Sequence, residues 1–194
     1  MSSGVPTADC ELRFLRAGLE KLESYLLSKE IYWPVGIAAR SGETPYPQMT
    51  LGALLLALRR AQALAGTPAE TAEADRLALQ LDATRQRWRV AWEQKAAAEF
   101  QARLTLWRNF IEEYRQEPGN HFSHYRYEVG RRVLLHLLAE QAGELPEAHR
   151  ALLSGLDAVL AQVLVPGDFI WEIELEQLFP REVFWYLFGR LPEQ

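Results

Sequence analysis

Leu12, Leu15, Leu19, Leu22 and Leu26 return every three or four residues, the spacing of one narrow helical face. Asp9 precedes them in N-cap position, so a first helix is expected to start there. From Ile31 to Pro47 the period disappears. Pro34, Gly36, Gly42, Pro45 and Pro47 mark a loop that carries Tyr32, Trp33 and Tyr46. So aromatic a loop is expected to fold back on the protein. Thr50 can cap a second helix, Leu51 to Ala65, closed by Gly66. Its first half is apolar nearly all round, which predicts a central position in the core.

Between Pro68 and Pro118 the chain contains neither glycine nor proline, and helix formers dominate. Thr67-Pro68-Ala69-Glu70 opens this stretch with a capping-box pattern, and Pro118-Gly119-Asn120 ends it. Unbroken, about 49 residues would run roughly 73 Å, too long for a compact domain of this size. Leu77, Leu81, Trp88 and Trp92 cluster on one face, and Phe100, Leu104, Trp107, Ile111 and Tyr114 on another. Leu106 and Phe110 extend the second face toward the first. The pattern therefore predicts a kink between about Glu93 and Glu99, or a core second half with residues 68–95 projecting as an arm or hairpin edge.

The next helix is expected from Ser123 or His124 to about Ala142, with Gly143 as terminator. Another follows from Pro146 to about Leu164, with Leu152, Leu153, Leu156, Val159, Leu160 and Val163 on one broad face. Beyond Pro166-Gly167, Phe169, Trp171, Ile173 and Leu175 alternate with glutamates. That is the period of a half-buried strand, with Ile31 to Ala38 as its plausible partner, or else a helical turn. A final short helix is expected from Pro180 to about Arg190. The fold class is all-α: one domain over 1–194, an irregular bundle of about five to seven helices, one very long or kinked over 68–117. A minor two-stranded β ribbon completes it. The central members are Leu51 to Ala65, Phe100 to Tyr114 and Tyr125 to Ala142.

Composition narrows the function classes. The net charge of −5 argues against a protein whose main task is gripping nucleic acid. Arg85, Arg87, Arg89, Lys95 and Arg108 do interleave with Trp88, Trp92 and Trp107, but Trp88 and Trp92 lie on the apolar stripe, where packing already explains them. Cys10 is the only cysteine, which leaves no internal disulfide and no cysteine-based metal site. Met1 to Asp9 lacks the layout of a secretory signal, and the apolar run Leu51 to Leu58 is too short to span a bilayer. A cytoplasmic protein without a membrane role is expected.

Candidate chemistry is sparse. If the turn after Pro118 makes its flanking helices antiparallel, Glu99 and Arg103 face His136 and Glu140. A buried histidine with a carboxylate partner could hold a ligand or move a proton, and equally could just fix helix packing. His121, His124 and Glu128 offer three metal-ligating types at a helix start, outside the established zinc spacings. No Glu-x-x-His occurs, which removes the di-metal bundle pattern, and no phosphate loop, Gly-x-Ser-x-Gly or Cys-His signature is present. No cofactor is implied. The reading that follows is a non-catalytic interaction or scaffold protein, a homo-oligomer or protein partner joined through the long helix and the aromatic C-terminal segment. The alternative is an enzyme or a small-ligand or metal-binding protein, with a polar pocket around Glu99, Arg103, His136 and Glu140.

Overall fold

The computed structural model describes residues 7–41 and 43–193. Gly42 of the predicted loop and six of the nine residues from Met1 to Asp9 lie outside the described residues. Seven α-helices and one small antiparallel sheet are present among them: α1 (Ala8–Leu27), α2 (Leu51–Leu64), α3 (Pro68–Arg87), α4 (Arg89–Gln116), α5 (Pro118–His121), α6 (Tyr125–Ala139), α7 (Glu147–Val163), β1 (Val165–Phe169) and β2 (Phe188–Arg190). The all-α class with a minor ribbon is what the periodicity indicates. The chain divides inside α4 into two compact units, Met1–Glu99 and Phe100–Gln194.

In the first unit, α1 is capped by Thr7, whose side chain accepts from the Cys10 N–H. Asp9, expected at the cap, instead sits in the first turn, where its charge suits the positive helix end. All five leucines of the predicted α1 face are buried. Thr50 caps α2 as expected, and Thr67 with Glu70 forms the full reciprocal capping box of α3. α3 packs on α1 and α2 through Ala74, Leu77 and Leu81, so it does not stand off as an arm. The long stretch is interrupted at Trp88 (φ −113°, ψ 32°), earlier than the expected window at Glu93 to Glu99. Trp88 itself stays bonded on both sides: its N–H donates to Thr84 O and its carbonyl accepts from Trp92 N–H, both at 2.9 Å.

Close approach of α1 and α2 depends on Gly18. A Cβ there would lie 2.5 Å from Leu54 Cδ2 and 3.3 Å from Met49 Sδ. The aromatic loop does fold back, since Trp33 and Met49 exchange backbone hydrogen bonds at 3.0 and 2.8 Å.

In the second unit, α6 carries buried Tyr125, Val129, Val133, Leu135, Leu137 and Leu138. α7 buries only Leu156 and Leu160 fully; the rest of its predicted face is half-exposed. The ribbon forms with different partners from those expected. β1 pairs with β2 in the register Val165↔Arg190, Pro166↔Gly189 and Phe169↔Phe188, while the Ile31 region bridges to Met49. β1 ends at Phe169, and Ile173–Leu178 is a 3₁₀ turn. Pro180 to Arg190 is not an α-helix: a short 3₁₀ turn, Trp185–Leu187, runs directly into β2. Consecutive aromatics cannot share one helical face, and this path lets Phe184, Tyr186, Leu187 and Phe188 all turn inward. Phe179 is the hub, with ring centres 5.1 Å from Phe184, 5.3 Å from Trp171 and 6.0 Å from Phe169. The aromatic tail is thus largely consumed inside its own unit, and its expected role as a contact surface loses its main material.

Candidate functional site

The buried charges come first, because burying a charge is costly unless it is paired or hydrogen-bonded. Lys95 and Glu99 of α4 are both buried in the first unit. The Lys95 ammonium donates to Ser28 O at 2.7 Å, Glu30 O at 2.9 Å and Ser28 Oγ at 3.3 Å, and lies 4.6 Å from the centre of the Tyr25 ring. Ser28 is the C-cap of α1, so the cation meets the negative end of that helix. Burial lowers the Lys95 pKa from its ordinary value, with the Glu30 charge working the other way. Glu99 Oε2 accepts from Gly52 N–H at 3.0 Å, in the first turn of α2, beside the Thr50 cap. A carboxylate thus meets a positive helix end.

The second unit holds a different pair. Arg132 Nε and Nη2 donate to the two Asp157 oxygens, each at 2.7 Å, in a fork geometry that only arginine provides. The same guanidinium lies 4.6 Å from the centre of the Tyr186 ring, and Tyr125 OH donates to Tyr186 O at 2.5 Å. Burial works against the Arg132 charge, but the Asp157 hydrogen bonds together with the electrostatic pull of Tyr186, Asp157 and Tyr125 outweigh it, and the pKa is raised. Burial also pushes the Tyr125 hydroxyl far above the ordinary tyrosine range. The pair joins α6 to α7, while Tyr125 and Tyr186 tie both to the C-terminal segment.

The residues singled out by sequence fall as follows. Glu99 belongs to the first unit and caps α2; Arg103, His136 and Glu140 belong to the second. His136 Nε2 stands 3.5 Å from Glu140 Oε1, and the His136 ring lies edge-on to Phe184 with centres 4.6 Å apart. His121 and His124 have ring centres 6.1 Å apart, while Glu128 is paired with Arg131. Among the described residues no group of three or more His, Cys, Asp or Glu is placed to hold a metal ion. Trp92 and Trp107 are buried and offer no face for stacking on a base. The Cys10 thiol is partly buried, and that burial raises its pKa.

A cavity of about 360 Å³ opens in the second unit. Phe100, Ala139, Leu145 and Leu153 supply apolar wall; Arg150, Ser154 and Asp157 supply polar groups. None of Arg103, His136 and Glu140 lines it. Sequence reasoning missed it, although Arg150, Leu153, Ser154 and Asp157 stand at i, i+3, i+4 and i+7 on α7, the spacing of a single helical flank. Gly143, at φ +63°, forms the turn on the far side.

Among the described residues no helix is long and apolar enough to cross a membrane. Comparison with known proteins finds no family, no characterised protein and no solved structure that matches this chain.

Proposed function

We propose that the chain is a non-catalytic helical interaction protein that self-associates through the outer face of α3 and the start of α4. The observation that supports this reading is an exposed strip: Leu79 is 73% and Val90 64% accessible. Ala83 and Gln86 are exposed as well, so Leu79, Ala83 and Gln86 follow at i, i+4 and i+7 on one side of α3, and Val90 comes just past the interruption at Trp88. Large aliphatic side chains at helical spacing on the surface suit a seam with a second helix. The fates of Lys95, Glu99 and Arg132 agree with it, because each buried charge is engaged in holding the fold. A reducing, cytoplasmic setting belongs to the same reading and rests on the single cysteine.

Light scattering coupled to size exclusion, across a concentration series, tests it. The expected result is an oligomer that dissociates in the Leu79→Glu and Val90→Glu variants, both at exposed positions where the fold tolerates charge. A monomer at every concentration, or an oligomer indifferent to both substitutions, overturns the proposal.

A further inference from the structure

The cavity of the second unit has a chemistry that points to one class of ligand. We infer that it binds a small monocarboxylate with an apolar body, such as a short-chain or aryl-substituted acid. Its volume of about 360 Å³ lies within the range of small-molecule sites, roughly 300–1,000 Å³. Phe100, Ala139, Leu145 and Leu153 give it an apolar wall on which an alkyl or aryl group loses water-exposed area.

The polar groups decide the other end of the ligand. Asp157 is the acid among the lining residues, and both its oxygens already accept from Arg132. It therefore neither attracts a cation nor asks for a donor with any strength. Arg150 and Ser154 remain, an arginine fork and a hydroxyl one turn apart on α7. Arg150 can only donate and the Ser154 hydroxyl can donate to the same group, so an acceptor suits both, and a carboxylate matches a guanidinium in charge and in planar geometry. Arg150 is held by Glu147, with contacts of 2.6 and 3.1 Å, but this pair is open to solvent on both sides. Such pairs contribute little, so a ligand carboxylate can take the place of Glu147 at small cost. That competition, and the small size of the ligand, set an affinity of about 1 mM for a six-carbon acid.

An NMR titration of the whole chain with hexanoate, with hexanamide and hexylammonium as length-matched controls, tests the assignment. Expected are saturable amide shifts confined to Ala139–Leu145 and Arg150–Asp157, with hexanamide binding about tenfold more weakly and hexylammonium not at all. Arg150→Gln should bring hexanoate down to the level of the amide. Ser154→Phe, which fills the cleft from an exposed helical position, should remove both; circular dichroism checks that each variant keeps its helix content. Equal affinity for acid and amide, tighter binding of the amine, no saturable shifts in these segments, or hexanoate binding unchanged in both variants would overturn the inference.

Discussion

Lys95 and Glu99 lie one turn apart on α4 and close opposite ends of two other helices: the ammonium sits at the C-terminus of α1, the carboxylate at the N-terminus of α2. Each charge has the sign that its helix end favours. Two residues of one helix therefore fix the positions of two others.

Removing the carboxylate should be costly. Glu99→Ala leaves the Gly52 N–H buried without its acceptor and is expected to destabilise the chain by about 2–3 kcal/mol. Glu99→Gln keeps an oxygen acceptor but loses its charge and should cost about 1 kcal/mol. Urea denaturation measures both losses. Amide exchange at Gly52 should quicken in the alanine variant before exchange in the core of α1 does.

The lysine gives a pH signature. Its native pKa is depressed by burial below the unfolded value of 10.5. In the window between the two, the unfolded chain binds the proton more tightly, so stability attributable to Lys95 rises with pH and levels off above 10.5. Lys95→Met should flatten that rise. Unfolding curves for both proteins across this range decide the matter; parallel pH dependences would show that the amine is solvated in the native state.

In the second unit, Asp157→Ala strands the Arg132 guanidinium among apolar groups and should cost about 3 kcal/mol. The double variant Arg132→Met with Asp157→Leu removes both charges together and should recover most of that loss, because the desolvation penalty goes with the pair. Thermal unfolding of the three proteins tests the difference. A double variant as unstable as Asp157→Ala would mean that fork geometry, not charge burial, is what the fold requires.

Gly189 sits where β2 crosses β1, and a Cβ would approach Val165 O to 2.5 Å and Leu164 Cγ to 3.1 Å. Gly189→Ala must push the strands apart and should cost about 1–3 kcal/mol. Hydrogen exchange of the Ile170 N–H, which donates to Leu187 O at 2.8 Å, is the local probe.

Features written in neighbouring residues were legible from the sequence; those written in distant ones were not. The Thr67-Glu70 capping box, the Thr50 cap and the α1 leucine face each need only a few adjacent side chains, and all were readable. The break at Trp88 carries no proline or glycine, so no local signal marks it. Between Pro180 and Arg190 the run of aromatics reads as a helix until the pull of Phe169, Phe179 and β1 on each ring is known. Glu99 was legible as a candidate but not its partner. That partner is a backbone N–H 47 positions away, a donor that every residue but proline carries and no motif can flag. The cleft hid for a similar reason. Its α7 flank has regular spacing, but Phe100 and the turn at Gly143 come from elsewhere in the chain.

The α4 clamp also sets an order of events during synthesis. α1 and α2 leave the ribosome well before residues 95 and 99, and until those arrive the Ser28 and Glu30 carbonyls and the Gly52 N–H lack the partners that α4 supplies. The amino-terminal helices can collapse early on their leucines, but they cannot lock. A nascent chain arrested short of Lys95 should therefore be compact yet protease-sensitive, and one extended past Glu99 resistant.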